Sequence, residues 1–444
     1  MIILEVLMEK TRKPLALFLS LPVLAWAFFD FANTIFSANI VTLFFPQYIT
    51  AVVGDNPQLE QIASTIIAYA NAAAAVLLIL FSPLYGVVMD RTGRRKHFVI
   101  IFTLITVTGA ILMGIFGDMN TGLLFGLPNG LVITIIIFVI AKFGFSSGNV
   151  FYDGMLSSLG KKEEIPLISG FGVALGYLGT LFGIITVMYL VGDAGIHHTF
   201  WMSGILFLIF ALPLFFINKD KHVKKSTSSS KSFLTGYKDI YHTFREARNY
   251  PSIFFFMIAY FFVNDALATA IAMMQPYATT VVGFSPSDFL VVFMVATGFS
   301  IVGALVFGFV NKALGSKKTF LIISILLGAA ITVAAVPLPM WTFWIAASMF
   351  GIAMGSVWVV SRTMIIELSP PGREGQFFGL FAFSAKMSAI IGPFIYGTIT
   401  LALSQYGPLA SRIAITSLLV MVIIGIMFHT FVKEEAESDE MKFE

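Results

Sequence analysis

The feature that most constrains this chain is the recurrence of apolar stretches long enough to cross a membrane. A helix needs about 20 apolar residues to span a hydrocarbon core roughly 30 Å thick. The sequence therefore predicts an all-α membrane protein with twelve transmembrane helices. The twelve stretches lie near 22–49, 62–87, 98–116, 130–156, 168–191, 199–217, 251–281, 288–310, 319–337, 341–366, 376–401 and 411–432.

The composition supports lipid as the solvent for most of the surface. Hydrophobic residues make up 58% of the chain and charged residues 11%, whereas soluble domains carry about 25% charged residues. Cysteine is absent, which excludes disulfides, thiolate metal sites and a cysteine nucleophile. The N-terminus places apolar residues before basic ones, the reverse of a secretory signal. The first helix is therefore expected to be retained, with Met1 or Met8 as the start.

The distribution of basic residues predicts the orientation of the helices. With twelve spans, 23 of the 27 Lys and Arg residues fall on one side, and Arg412 alone lies on the opposite side. Basic residues concentrate in cytoplasmic loops, so both termini are expected in the cytoplasm and the protein in the cell membrane. The predicted domains are an N-terminal bundle at 1–217, a basic cytoplasmic linker at 218–250, a C-terminal bundle at 251–432 and an acidic tail at 433–444.

Three matched segments indicate that the halves are repeats. GVVMDRTGRRK (86–96) matches GFVNKALGSKK (308–318), and FGFSSGNVF (143–151) matches FGIAMGSVW (350–358). Helix 1 carries Asp30-Phe-Ala-Asn-Thr and helix 7 carries Asp265-Ala-Leu-Ala-Thr. The pairs run in the same order, six helices apart. Two parallel repeats around a site near the bilayer midplane is a transporter architecture.

These motifs resemble those of a known family. The segment 86–96 is similar to the signature loop of the major facilitator superfamily, G-x-x-x-D-R-x-G-R-R. Within that superfamily, segments 26–37, 150–159, 169–179 and 361–393 resemble the autophagy-related vacuolar effluxer-like branch. The resemblance implies alternating access and, from the fungal members, export of amino acids from the vacuole. It also implies that helices 1, 4, 7 and 10 line the cavity, with helices 5, 8 and 11 beside them.

Four charged residues fall well inside apolar spans and are the main candidates for function. A charge in the bilayer is costly and marks a functional site by default. Neutral candidates for hydrogen bonding nearby are Asn33, Asn149, Tyr152 and Asn264. The four charged residues are Asp30 in helix 1, Lys142 in helix 4, Asp265 in helix 7 and Lys386 in helix 11.

Two interpretations of these charges stay open. A buried carboxylate can carry a proton while an ammonium holds a substrate anion, an arrangement that suits a zwitterion. Alternatively, Asp30–Lys142 and Asp265–Lys386 are structural ion pairs, because breaking a buried pair costs about 3–5 kcal/mol. Hydrophobic packing could replace structural pairs, so we favour the functional interpretation for the group.

The signature loop predicts a cytoplasmic latch. Its carboxylate, Asp90, can cap a helix of the other half near Gly372–Gly375 through backbone amides and the helix dipole. Charge bias alone would explain the basic residues but neither Asp90 nor Gly93. The second copy has Asn311-Lys312 in place of the acid–base pair, so a second latch is expected to be weaker or absent. The latch residues are Gly86, Asp90, Arg91, Gly93, Arg94 and Arg95.

The sequence therefore favours a secondary transporter over an enzyme. No nucleophile–base set and no Walker loop are present, and His197-His198 is predicted to be a solvated pair. We expect a monomer moving a small polar or zwitterionic metabolite with protons, without a cofactor, a metal or nucleic acid. The alternative is a non-transporting sensor or a lipid-handling protein on the same fold.

Overall fold

The structure is a computed structural model of the 444-residue chain. It describes residues 12–53, 57–119, 121–124, 126–192, 194–220, 250–370 and 372–433. Both candidate start residues, nearly all of the predicted linker and all but the first residue of the predicted tail lie outside the described residues.

The described residues are almost entirely helical, as predicted. Eleven helices are long and apolar enough to cross a membrane, and a bent pair of helical segments adds a twelfth. The helices after the first are α2 (Pro57–Thr92), α3 (Arg95–Phe116), α4 (Asn129–Met155), α5 (Ile165–Val191), α6 (His198–Ile217), α7 (Pro251–Tyr277), α8 (Pro286–Leu314), α9 (Ser316–Ala335), α10 (Thr342–Leu368), α11 (Glu374–Ala402) and α12 (Pro408–His429).

The first and second helices depart from regular geometry. Helix α1 is α-helical over Leu21–Ile35, π-helical over Phe36–Phe44 and α-helical again over Phe45–Val53. Helix α2 bends by 44° between Ser82 and Leu84, where the sequence has a proline. Proline removes a backbone donor and kinks helices, so a single predicted span becomes a broken one. A small hairpin, Leu123–Leu124 with Leu127–Pro128, joins α3 to α4.

Large apolar side chains point away from the protein along most helices. Ile136 is 55% exposed, Ile185 is 62% exposed and Ile325 is 56% exposed. A soluble monomer rarely exposes apolar surface on this scale, so these faces fit contact with acyl chains. The predicted membrane class is therefore confirmed.

The described chain forms two compact units. One contains Lys13–Leu159 and Leu175–Ser226, and the other contains Met1–Arg12, Gly160–Ala174 and Thr227–Glu444. The first segment of α5 therefore clusters with α7 to α12, although its later turns belong to the unit of α1 to α4. Within the second unit, Ser169 Oγ donates to Val359 O over 3.2 Å, and a Cβ on Gly170 would lie 3.1 Å from Gly308 Cα.

Glycines set the close packing within each unit. In the first, a Cβ on Gly179 of α5 would overlap the carbonyl oxygen of Phe31. In the second, a Cβ on Gly351 or Gly355 of α10 would overlap a carbonyl oxygen of α8. Small residues let helix backbones approach closely in lipid, where van der Waals contact drives association. These glycines therefore set how closely the helices of each unit approach.

Candidate functional site: intramembrane polar residues

Asp30 lies against α5 in the first unit. Its side chain is 5% exposed, and a Cβ on Gly176 would lie 3.4 Å from Asp30 Cγ. One turn later on the same face, Thr34 Oγ1 donates a hydrogen bond to Gly176 O. The glycine thus lets α5 come within contact distance of both the carboxyl group and the hydroxyl group.

Two of the predicted neutral residues meet directly. Asn33 of α1 donates from Nδ2 to Oδ1 of Asn149 on α4. Asn33 is buried, and Asn149 is partly exposed. An amide has both donors and acceptors, so this pair keeps capacity to bind a further polar group.

Lys142 of α4 reaches a residue that the sequence interpretation missed. Its Nζ donates to Oδ1 of Asn71 on α2, and it lies 5.9 Å from the centroid of the Phe138 ring. An amide oxygen and an aromatic face both stabilise an ammonium away from water. Asn71 interrupts a run of alanines in the sequence, and a polar residue in an apolar span was the available signal.

Tyr152 serves the packing of α4 on α1. Its hydroxyl donates to Trp26 O over 3.0 Å, and Trp26 Nε1 donates to Tyr152 O over 3.3 Å. The rings stack with centroids 4.6 Å apart, a contact worth about 0.5–1.5 kcal/mol. Both hydrogen bonds are internal to the helix pair, and a role of Tyr152 in substrate binding stays a prediction.

In the second unit, Asn264 joins α7 to α11. Its Nδ2 donates to Ser388 Oγ over 2.7 Å and to Ala385 O over 3.3 Å, while its Oδ1 accepts from Tyr260 over 3.0 Å. All three side chains are buried. Tyr260 and Ser388 were not predicted as members of this network, because their positions carry no distinctive pattern in sequence.

Asp265 is fully buried at the same helix crossing. Its Oδ1 accepts the backbone N–H of Gly392 over 2.8 Å, and its Oδ2 has no hydrogen-bond partner among the described residues. Thr269 Oγ1 is also buried without a described partner. A buried ionised carboxylate is costly unless its oxygens are hydrogen-bonded, and here only one of the two oxygens of Asp265 has a described partner.

Lys386 of α11 is partly buried, and no hydrogen bond or ion pair joins its amine to another described residue. The alternative that Asp265 and Lys386 form a structural ion pair is therefore wrong for the described residues. Asp265 takes its hydrogen bond from a backbone amide instead.

The repeated loops each contain a glycine with positive φ. Gly93 has φ 64° and donates to Met89 O over 2.9 Å, and Gly315 has φ 80° and donates to Asn311 O over 3.0 Å. Asn311 Oδ1 accepts from Ser316 Oγ over 2.8 Å, so this side chain is engaged within its own loop. Positive φ at Gly93 and Gly315 explains why both copies of the repeat have glycine at this position.

Arg95 of the first loop binds its own unit. Its Nη1 donates to Gly154 O and, over 2.7 Å, to Ser157 Oγ at the C-terminal end of α4. Asp90 is partly buried and Gly86 is buried, while Arg91 and Arg94 are exposed. Helix α11 begins at Glu374 without a side-chain cap from Arg373. Capping of that helix by Asp90 stays a prediction.

An acid beyond the predicted latch also holds this loop. Asp220 Oδ1 accepts the backbone N–H of Lys96 over 2.6 Å at the start of α3, and Lys96 Nζ donates to Asn218 O over 2.7 Å. A carboxylate at a helix N-terminus satisfies an orphan amide and the helix dipole. The sequence pattern predicts Asp220 within the basic linker 218–250 and does not indicate this contact.

The two adjacent histidines make packing contacts and do not form a metal site with other described residues. The rings of His197 and His198 lie with centroids 4.1 Å apart, and His198 Nδ1 accepts from Trp201 Nε1 over 3.0 Å. Burial and the neighbouring His198 lower the pKa of His197. The described residues contain no group of three or more metal-binding side chains.

Comparison with known proteins identifies the family. The family described as "Vacuole effluxer Atg22 like" matches residues 157–442. A Bacillus subtilis protein described as the uncharacterized MFS-type transporter YxiO is 24% identical over 94% of this chain and 95% of its own length. Autophagy-related protein 22 of Yarrowia lipolytica is 27% identical over 52% of this chain. That alignment covers 45% of the fungal protein, so the chain spans about half of it.

Solved structures agree on the fold. The human organic anion transporter MFSD10 (TETRAN) superposes with a TM-score of 0.73 at 12% identity, over 94% of this chain and 100% of that one. The Escherichia coli fucose:proton symporter FucP gives a TM-score of 0.68 at 13% identity, over 93% and 98%. At these identities the likeness shows the major facilitator fold alone. The chain therefore belongs to the Atg22-like vacuole effluxer family, a family of multi-pass membrane transporters rather than enzymes.

Proposed function

We propose that this protein is a proton-coupled secondary transporter that moves a small polar or zwitterionic metabolite, with amino acids as the first class to test. The observation that carries the proposal is the fully buried carboxyl group of Asp265, whose Oδ2 has no partner among the described residues. The stability of the charged form of such a group depends on its surroundings, so a conformational change can make it bind or release a proton. Coupling of transport to protons requires such a group.

Charges of both signs support a zwitterionic substrate. Asp30 and Asp265 offer carboxylates, and Lys142 and Lys386 offer ammonium groups, all within membrane helices. Structural pairing does not account for Lys386, because no described residue holds its amine. An amino acid would match one carboxylate with its amine and one ammonium with its carboxylate. The amides of Asn33 and Asn149 would add neutral hydrogen bonds.

The relatives support transport. The family's description names vacuole effluxers, and two proteins of the same fold are described as proton symporters, of fucose and of xylose. Transport coupled to the proton gradient is therefore the specific form that we propose. The likeness to the symporters rests on fold, so coupling depends on the residues of this chain.

The basic loops support a cell-membrane protein with both termini in the cytoplasm. We propose two six-helix bundles, 1–217 and 251–432, joined by the linker 218–250 and followed by the tail 433–444, acting as a monomer. In this scheme the loop with Asp90 and Gly93 is the cytoplasmic latch. Its left-handed turn and the anchoring of Arg95 on α4 support a fixed loop geometry.

Flux in proteoliposomes tests the proposal. The purified chain would be assayed against a panel of labelled amino acids, peptides, sugars and nucleosides, with and without an imposed pH gradient. We expect gradient-driven flux of at least one amino acid, loss of that flux in Asp265→Asn, and retention of counterflow exchange. The matched control is Asp288→Asn, because Asp288 is an exposed acid at the start of α8.

Two results would overturn the proposal. Flux at the same rate with and without the pH gradient would contradict proton coupling. Absence of flux for every compound would favour the sensor or lipid-handling alternative. Scrambling of fluorescent phospholipids in the same liposomes would then separate lipid handling from sensing.

A further inference from the structure

The repeated Asp-x-x-x-Thr sequence of α1 and α7 meets a glycine of another helix in each half. Residues four apart share a helix face, so the carboxyl group and the hydroxyl group of each motif face the same glycine. Each set lies wholly within one compact unit. The two sets are Asp30, Thr34 and Gly176 of α5, and Asp265, Thr269 and Gly392 of α11.

The second set is packed so tightly that only glycine fits. A Cβ on Gly392 would overlap both Thr269 Oγ1 and Asp265 Oδ1, and it would lie 3.0 Å from Asp265 Cγ. Both side chains are fully buried. Thr269 Oγ1 and Asp265 Oδ1 lie beside the same point on Gly392, so the hydroxyl group, which has no other described partner, is placed to hydrogen-bond the carboxyl group. The close approach is what brings the Gly392 N–H within 2.8 Å of the carboxyl group.

The two sets place different backbone groups against the side chains of the motif. In the first, α5 presents a carbonyl oxygen, which accepts from Thr34. In the second, α11 presents an N–H, which donates to Asp265. A hydrogen bond to a carboxyl group changes in strength when that group gains or loses a proton. The contact between α7 and α11 therefore responds directly to protonation of Asp265.

The next residue makes α11 deformable at this point. Pro393 follows Gly392 inside the helix, and a proline removes one backbone hydrogen bond of the helix ladder. A change in the hydrogen bond from the Gly392 N–H to Asp265 therefore acts at a point where the backbone of α11 lacks one helical hydrogen bond.

From these observations we infer that Thr269 and Gly392 are positioning residues for proton binding at Asp265, and that they link its protonation to the proline site of α11. This inference rests on the proposed proton coupling and assigns it to the second half. No ion pair joins Asp265 to a described residue. The ionisable side chains of α7 and of the helices packed on it are Tyr260, Tyr277, Arg362, Glu367, Glu374, Lys386, Tyr396, Arg412 and His429.

Infrared difference spectroscopy of the full chain, between acidic and neutral pH, reads the carboxyl group without any transport assay. We expect a protonated carboxyl stretching band that is absent in Asp265→Asn. The band should shift in frequency in Thr269→Val and Gly392→Ala, and stay in place in Thr269→Ser, which keeps the hydroxyl. The matched control is Gly425→Ala on α12, where a Cβ would lie 2.8 Å from Val263 Cγ2 and 3.0 Å from Ala259 O, away from the carboxyl group.

The inference is overturned if the band is unmoved in Thr269→Val, or if Gly425→Ala shifts it equally. Should Gly392→Ala fail to fold, the comparison of Thr269→Val with Thr269→Ser still decides the matter. A shifted band together with flux that ignores the pH gradient would refute the proposed function and leave the positioning roles intact.

Discussion

Glu164 accepts hydrogen bonds from the backbone N–H, from Nε and from Nη2 of Arg12, at 3.1, 3.0 and 2.9 Å. The Glu164 side chain is 2% exposed, and the Arg12 side chain is 44% exposed. A charged residue before the first membrane helix is thereby attached to the residue that precedes α5. The charge pattern of the sequence predicts only that Arg12 lies on the cytoplasmic side.

We predict that Arg12→Gln lowers the free energy of unfolding by about 1–3 kcal/mol, because it leaves a buried carboxylate without its charged donor. Glu164→Gln should cost a similar amount, and the double variant should cost less than the sum. Thermal unfolding in detergent measures each. The neighbouring exposed residue supplies the control, since Glu163→Gln should stay within about 0.5 kcal/mol. Equal losses at Glu163 and Glu164 would contradict the structural role.

The amide pair between α1 and α4 predicts a defect in binding. Asn33→Leu and Asn149→Leu should each weaken substrate binding, and the double variant should be little worse, because each single change already breaks the Asn33–Asn149 hydrogen bond. Titration of purified protein with the substrate found in the flux screen would measure this.

The control for the amide pair is Asn39, a buried amide that donates to Gly183 O over 3.0 Å and to Ser203 Oγ over 3.2 Å. Asn39→Leu should lower stability by about 1–3 kcal/mol and leave the affinity of the folded protein unchanged. Weakened binding in Asn39→Leu to the same degree would show that the amide pair has no special role.

Substitution of the turn glycine in each loop distinguishes a latch function of the first loop from a general loss of stability. Gly93→Ala and Gly315→Ala should each cost about 1–2 kcal/mol, because both residues have positive φ. Only Gly93→Ala should also slow transport, since Asn311 in the second loop is engaged by Ser316. Gly397→Ala, at an open helical position, should be neutral or stabilising by up to about 1 kcal/mol. Equal slowing by both turn variants would argue against a latch specific to the first loop.

The histidine pair predicts a pH dependence of stability. Because burial lowers the pKa of His197 below its ordinary 6.5, the unfolded chain binds a proton there more readily than the folded chain. Above the pKa of the unfolded chain, about 6.5, His197 is neutral in both states and the free energy of unfolding is unaffected. As the pH falls below about 6.5, the unfolded chain takes up a proton first, and the free energy of unfolding decreases. His197→Asn should flatten that part of the stability curve in thermal unfolding across pH. The exposed His97 is the control, and a similar flattening in His97→Asn would contradict the assignment.

Much of the architecture follows from the chain's local pattern. A stretch of about 20 apolar residues must become a helix in lipid, because every backbone group has to be satisfied within the segment. The repeated turn glycines, Gly93 and Gly315, were recognisable because a position with positive φ favours glycine, which therefore recurs at the same place in both copies. Four charged residues were recognisable because a charge inside an apolar span is energetically costly. They are Asp30, Lys142, Asp265 and Lys386.

The partners of those charges could not be read from the pattern. Lys142 bonds to Asn71, Asp265 to the amide of Gly392, and the amide of Lys96 to Asp220. Each pairing depends on how far two helices approach and how each is rotated, which glycine contacts and kinks decide over many residues. The sequence by itself determined the membrane class, the repeat and the polar residues within the spans. Tertiary packing alone decided which of those residues meet, because hydrogen bonds form only within a few tenths of an ångström of their ideal length.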